Sequence, residues 1–302
     1  MKAFVTGGSG LIGLPLIEHL LKQGYKVKVL DLAEPDVKHD NLKWINKSVM
    51  DELAEDIKGS GIVFHFAAIL GVENSDNKPL ETMRINLEGS VNVFKSSVEA
   101  GVKHMIYASS SEVYGNPSEL PIREGSVKCP ISVYGVSKLA AEIYAKSYNH
   151  EFRSDIKIVR FFNVYGHRQS PKFVVPIFIN KALKNEPIEI FGDGSQTRCF
   201  TYVGDIIEAV MKVVEKGKTG EAYNIGNNHP TTILELANII KEATGSKSEI
   251  VKAGFGKDTR LKEREIEYRI PDISKMKTLG WEPKTMIREG IRKILGFRNQ
   301  NS

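Results

Sequence analysis

Glycines recur at every third position in Thr6-Gly7-Gly8-Ser9-Gly10-Leu11-Ile12-Gly13, directly after the apolar run Lys2–Thr6 and where an amphipathic pattern over residues 11–23 begins. Few features restrict a chain's fold as tightly. A turn this sharp needs φ > 0, a backbone without Cβ can approach a diphosphate, and the helix that follows offers free N–H groups to the anion. Strand, glycine turn and helix in that order predict a dinucleotide-binding unit. Asp31, eighteen residues after Gly13, ends a second apolar run at 26–31. A carboxylate there accepts hydrogen bonds from an adenosine ribose and repels a 2′-phosphate, which favours NAD over NADP.

The rest of the first half continues the alternation. Strands are predicted at 62–66, 104–109 and 156–161, with helices at 79–101 and 134–152 between them. Pro35, Pro79 and Pro130 fall between elements, as the assignment requires. Strands alternating with helices imply βαβ units and an α/β fold with a Rossmann-type, doubly wound parallel sheet. After residue 165 the alternation loosens into helices at 173–185, 203–217, 231–245 and 287–295 and a strand at Ile188–Phe191. The expected organisation is a dinucleotide domain over 1–165, joined again by 203–226, and a smaller C-terminal α/β substrate-binding lobe over 166–302.

Composition narrows the function classes. At 302 residues, 41% hydrophobic and 26% charged, the chain has the balance of a globular protein and about two domains of length. The net charge of +5 is thinly spread, and the most charged stretch, 257–269, alternates in sign. Nucleic-acid binding wants a stripe of one sign, so no nucleic-acid partner is expected. Cys129 and Cys199 have no Cys or His at ligand spacing and read as free thiols, with no metal centre expected. No signal-peptide pattern follows Met1. The longest apolar run, 62–72, contains His65 and is short of the ~18 residues of a membrane span. A cytoplasmic protein with no membrane partner is the expectation.

Tyr134 and Lys138 stand four apart, on one face of a predicted helix. A nearby ammonium, and a cationic nicotinamide ring, favour the phenolate, so the pKa of Tyr134 is expected to fall from ~10 toward working pH and make it a general base. Upstream, the strand 104–109 runs into Ser109, Ser110, Ser111 and Glu112 at the carboxyl edge of the sheet, where ligands of open α/β sheets bind. A serine there can hydrogen-bond a substrate hydroxyl while the tyrosine takes its proton. His65, in an apolar strand, reads as a structural histidine.

Gly7, Gly10 and Gly13 with Ser110, Tyr134 and Lys138 resemble the extended short-chain dehydrogenase/reductases, within them the NAD-dependent nucleotide-sugar epimerase/dehydratase family, over nearly the whole chain. The resemblance implies NAD contacts from Gly7, Gly10, Leu11, Ile12, Gly13, Asp31, Ser48, Val49, Phe66, Ala67, Ala68, Asn86, Ala108, Tyr134, Lys138 and Phe161. Arg160 to Gly166 and Gly192 to Arg198 resemble the family's substrate-lobe segments. By that resemblance Asn163 and Arg198 hold the diphosphate, Phe191 stacks on uracil, and Ser110, Ser111 and Val174 contact the substrate. A second phosphate ligand aligns with Lys262, with Arg260 and Arg264 close by. Leu70, Glu73 and Arg269 are candidates for the wall around the sugar. The resemblance also implies a homodimer through a four-helix bundle built from the helices near 80–100 and 134–152.

Three reactions share an opening step, oxidation of the sugar at C4. The family's 4,6-dehydratases carry Asp-Glu after the catalytic hydroxyl, where this chain has Ser111-Glu112. Ser-Glu-Val-Tyr-Gly resembles the UDP-glucuronate decarboxylases, while Phe173-Val174-Val175-Pro176 resembles the epimerases. The leading expectation is C4 epimerisation of a UDP-sugar, with decarboxylase and dehydratase as alternatives and an NAD(H)-binding sensor or scaffold as the non-enzymatic one. Glu112 is carried as a candidate catalytic group.

Overall fold

Short runs rich in Val, Ile and Phe form the strands β1 (Lys2–Thr6), β2 (Lys26–Leu30), β3 (Leu42–Ile45), β4 (Ile62–His65), β5 (His104–Ser110) and β6 (Asp155–Phe161) in the computed structural model. It describes residues 1–71, 75, 77–254 and 268–300. The strand Ala222–Ile225 joins them to make a seven-stranded sheet, in the order Ala222–Ile225, β6, β5, β4, β1, β2, β3, with every neighbouring pair parallel. The chain winds outward from β1 through β2 and β3, then returns to the other side of β1 with β4. That reversal leaves a crevice at the carboxyl ends of β1 and β4, where doubly wound sheets bind ligands.

Helices cover both faces, which is why the strands read as continuous apolar runs. Leu16, Ile17 and Leu20 of helix Gly13–Lys22 pack with Ile206, Val210 and Val213 of helix Val203–Lys216 on one face. Val93 and Phe94 of helix Gly89–Glu99 pack with Ala141 and Ala145 of helix Val133–Phe152 on the other. A third core gathers Phe178 and Ile179 of helix Val174–Leu183, Leu236 and Ile240 of helix Ile233–Thr244, and Ile291 of helix Ile287–Gln300. Beside it, Thr231–Thr232, Thr197–Arg198 and Tyr268–Arg269 form a small three-stranded sheet in which Arg198 pairs with both Thr231 and Arg269.

Several elements differ from the sequence reading. The first helix begins at Gly13, because Leu11 and Ile12 still belong to the glycine turn. The expected helix over 79–101 is helical at Pro79–Met83 and Gly89–Glu99 with a π turn, Arg84–Glu88, between them. The Asn86 side chain inside that turn bonds outward to Ile69, away from its own helix. β3 is an edge strand of four residues that no local pattern announced. Among the described residues no helix is long and apolar enough to cross a membrane, and no cluster of His, Cys, Asp and Glu could hold a metal ion.

Candidate active site

The glycine turn meets the stated needs of a diphosphate cradle. Gly7 has φ +71°, and a Cβ there would lie 2.5 Å from the Ala67 backbone nitrogen, so the turn after β1 lies directly on the chain leaving β4. A Cβ on the exposed Gly10 would meet only the Gly7 carbonyl, at 3.4 Å, which leaves that face of the turn clear for a ligand. The Asp31 carboxylate accepts from the backbone N–H of Ser9 (2.9 Å) and of Ala33 (3.1 Å), which fixes its orientation at the end of β2. Phe66, Ala67 and Ala68 follow β4 beside this turn, and the Phe66 ring meets Phe161 edge-on at 6.0 Å. These residues fit NAD: a Cβ-free turn at a helix N-terminus for the pyrophosphate and a fixed carboxylate for the ribose.

Other residues assigned to the cofactor are engaged within the protein. The Ser48 N–H donates to Asp51 and its hydroxyl accepts from the Met50 N–H. Val49 is core, packed under Gly89, and its carbonyl accepts from Asn92. Asn86 is fully buried; its amide oxygen accepts from the Ile69 N–H (2.7 Å), and its nitrogen donates to the Ile69 carbonyl (3.0 Å) and Ser137 (3.2 Å). Ser137 in turn donates to the Tyr134 carbonyl (2.7 Å). Asn86, in the π turn, therefore ties the segment after β4 to the helix that carries Tyr134 and Lys138.

His65 has partners the sequence did not reveal. Thr6 Oγ1 accepts from the Phe66 and Ala67 N–H groups, so its hydroxyl proton goes to His65 Nδ1, 2.7 Å away. Nε2 then carries the imidazole proton and donates to Ser90 Oγ (2.9 Å), which donates to the Asn86 carbonyl. Burial, and then the charge of Lys138, depress the His65 pKa to about 3, so this histidine is neutral.

Ser110 ends β5 and its hydroxyl accepts from the Glu112 N–H, starting the short 3₁₀ turn Ser111–Tyr114. Ser132 caps helix Val133–Phe152 by accepting from the Gly135 N–H, and the helix carries Tyr134 and Lys138 inward, both buried. Lys138 Nζ donates to the Ala108 carbonyl (2.8 Å) and stands 5.8 Å from the centre of the Tyr134 ring. The candidate triad is thus assembled where β5 meets the crevice.

Without the cofactor's charge, its electrostatics run opposite to the expected fall at Tyr134. Burial raises the Tyr134 pKa well above its ordinary value; the charge of Glu112 adds to this, and a hydrogen bond with Ser110 and the charge of Arg269 oppose it without overcoming it. Desolvation lowers the Lys138 pKa to about 7, against the pull of Glu142. The protein alone therefore keeps Tyr134 as a phenol, because moving a phenolate out of water costs more than the neighbouring charges return.

Glu112, half-buried, is ion-paired with Arg269 Nη1 at 2.7 Å, across 157 residues of sequence. Arg269 Nε is buried without a hydrogen-bond partner. Asn163 has φ +38°, and its side-chain nitrogen is likewise buried and without a partner, a donor available to a ligand oxygen. Arg198 Nη1 donates to the Thr197 carbonyl. Phe191 presents an exposed ring, Ser111 is buried, and Val174 opens its helix against the C-terminal core. Lys262, Arg260, Arg264 and Glu73 lie outside the described residues. Arg160, read as part of a substrate-lobe segment, is in fact 1% exposed in the core, where it grips Glu142 through Nε (2.8 Å) and Nη2 (2.6 Å).

Comparison with known proteins places the chain in a family. Residues 3–226 match the NAD dependent epimerase/dehydratase family. The chain is 36% identical, over 99% of its length and 98% of the relative's, to a putative UDP-glucose 4-epimerase of Methanocaldococcus jannaschii. It is 33% identical, over 97% of its length and 96% of the relative's, to a UDP-N-acetyl-alpha-D-glucosaminuronate decarboxylase of Bacillus cytotoxicus. The structure of UDP-glucose 4-epimerase from Thermotoga maritima with UDP-glucose superimposes with a TM-score of 0.92 at 33% identity, covering all of both chains. The chain therefore belongs to the NAD-dependent epimerase/dehydratase family, the nucleotide-sugar enzymes of the extended short-chain dehydrogenase/reductases.

Proposed function

We propose that this enzyme inverts C4 of a UDP-sugar through a transient 4-keto sugar. The observation that carries this reading is the convergence of Ser110, Tyr134 and Lys138 at the end of β5, beside the dinucleotide turn. Ser110 hydrogen-bonds the sugar 4-hydroxyl, and the Tyr134 oxygen receives its proton. Bound NAD supplies the acceptor for the C4 hydride and the donor that returns it. The positive charge of Lys138, with that of the cofactor, offsets the desolvation that otherwise keeps Tyr134 protonated. Once the keto sugar has turned its other face to the cofactor, Tyr134 would give its proton back to O4 as C4 is reduced, so that atoms and charge balance. Asn163 and Arg198 hold the diphosphate, and Phe191 stacks on the base.

Dehydration fits less well. Eliminating water across C5 and C6 needs an acid to protonate the leaving hydroxyl, and Ser111 at that place carries no such proton. A second reading, decarboxylation of a UDP-uronate, is favoured by Arg269, whose guanidinium lies beside Glu112 at the reacting end of the site. The decarboxylase from Bacillus cytotoxicus among the relatives points the same way. Incubation with NAD and UDP-glucose, UDP-N-acetylglucosamine or UDP-glucuronate, followed by mass spectrometry and NMR, separates these outcomes. A stereoisomer of unchanged mass is the expected product. A product lighter by CO₂ establishes decarboxylation, one lighter by water establishes dehydration, and no conversion of any sugar overturns the enzymatic reading.

The same reading includes a homodimer. Val136, Ile143, Tyr144 and Phe152 expose apolar side chains on helix Val133–Phe152, and Leu80, 84% exposed, does so on the neighbouring helix. An apolar face of this kind on paired helices suits a second copy. Light scattering at micromolar concentration is expected to give twice the chain mass, and Ile143→Glu to halve it; a wild-type monomer contradicts the assembly.

A further inference from the structure

Lys138 and Glu142 are one helical turn apart, the spacing at which an ammonium and a carboxylate normally pair. Here they do not. Lys138 Nζ bonds the Ala108 carbonyl, while both carboxylate oxygens of Glu142 are taken by Arg160, with Ser109 Oγ donating to one of them as well. Arg160 is itself fixed. Its Nη1 donates to the Tyr114 hydroxyl (2.7 Å) and the Glu124 carbonyl (3.0 Å), and Tyr114 donates to Asn224 (2.7 Å). Lys138, Glu142 and Arg160 are all nine-tenths or more buried, so their charges interact through protein rather than water.

We propose that Glu142 and Arg160 are positioning residues for catalysis: the ion pair behind the catalytic helix sets the charge that Lys138 carries into the site. The proposal rests on Lys138 acting in the triad. Were Arg160 absent, a buried carboxylate one turn from Lys138 would draw the ammonium to itself, away from Ala108 and Tyr134. With both oxygens gripped by Arg160, Glu142 exerts only a residual attraction, enough to offset part of the desolvation of Lys138. The other groups facing Lys138 are the Tyr107 ring from β5 (5.2 Å), the Tyr134 ring from its own helix and the neutral His65 from β4. Glu142 is the carboxylate among them, and its charge favours the ammonium.

The signs are opposite for the two partners, which a purely structural role would not produce. In protein carrying ¹³Cε-labelled lysine, the Lys138 resonance, assigned with Lys138→Arg, reports its titration by NMR without any sugar. Glu142→Gln keeps acceptor and shape but removes charge, and is expected to lower the titration midpoint by about one pH unit. Arg160→Gln is expected to raise it. Glu142→Asp, which keeps the charge, stays near wild type. In turnover with the UDP-sugar that the wild type converts, the alkaline limb of kcat moves to lower pH in Glu142→Gln by the same amount. If Arg160→Gln does not fold, as its melting curve will tell, the Gln and Asp variants decide alone. An unmoved midpoint in Glu142→Gln, or equal shifts in Gln and Asp, overturns the proposal. Failure to turn over any UDP-sugar defeats the functional reading instead, and leaves the Lys138 titration to judge this one.

Discussion

Replacing Tyr134 by Phe yields a protein that folds, binds NAD as the wild type does, and turns over its UDP-sugar about 10²–10⁴-fold more slowly. The change deletes one oxygen and leaves the ring, so the packing of helix Val133–Phe152 against β5 and β6 is kept. What disappears is the acceptor for the 4-hydroxyl proton; the stated loss corresponds to about 2.7–5.4 kcal/mol of transition-state stabilisation. Ser110 cannot take over, because its hydroxyl has no base of its own and already accepts from the Glu112 N–H. Kinetics give kcat, and calorimetric titration with NAD gives the affinity that should stay unchanged. Since burial raises the Tyr134 pKa in the protein by itself, the ultraviolet difference between wild type and variant should show no tyrosinate at neutral pH until NAD is added. Near-normal turnover in the variant removes Tyr134 as the base.

The parts of the site legible in the sequence are those whose signal is local. Three glycines between a strand and a helix state their own reason, since a positive φ and the lack of Cβ are properties of the residue. Tyr134 and Lys138 could be placed on one face because a helix has a fixed period. β3 escaped notice because Leu42–Ile45 is four residues long, with no alternation to mark it. Periodicity over 79–101 predicts one uninterrupted helix because it cannot show that Asn86 bonds to Ile69 within a π turn; such turns often sit at functional sites.

Long-range pairs had no signal at all. Glu112 meets Arg269 across 157 residues, and Arg160 meets Glu142 through two different elements, so only the fold discloses either. In the protein alone the expected fall in the Tyr134 pKa is absent for a related reason. Counting neighbouring cations in a sequence omits desolvation, which is set by burial and dominates here.

Gly13→Ala tests the turn itself, and two opposing magnitudes decide its outcome. Alanine in a helix is favoured over glycine by ~0.8–1.0 kcal/mol, so an unobstructed site would be stabilised. A Cβ at Gly13, however, would lie 2.1 Å from the Gly7 carbonyl oxygen and 2.7 Å from the Gly8 Cα. Both are backbone atoms, and Gly7 is held in place by its N–H bond to the Leu30 carbonyl (3.0 Å) and by close approach to Ala67. The obstruction can be relieved only by moving the first helix off the sheet, a strain of about 1–3 kcal/mol or more, which outweighs the propensity. Displacing the turn by even a fraction of an ångström also spoils its alignment on the pyrophosphate. Losing about two charge-assisted bonds at ~1.5–3 kcal/mol each weakens NAD binding by at least about a hundredfold. Gly10→Ala separates the two effects, because its Cβ meets only one atom at 3.4 Å: the melting temperature should hold while NAD affinity falls. If Gly13→Ala melts at the wild-type temperature without ligand and still binds NAD, the glycine turn is neither as close-packed as described nor the seat of the cofactor.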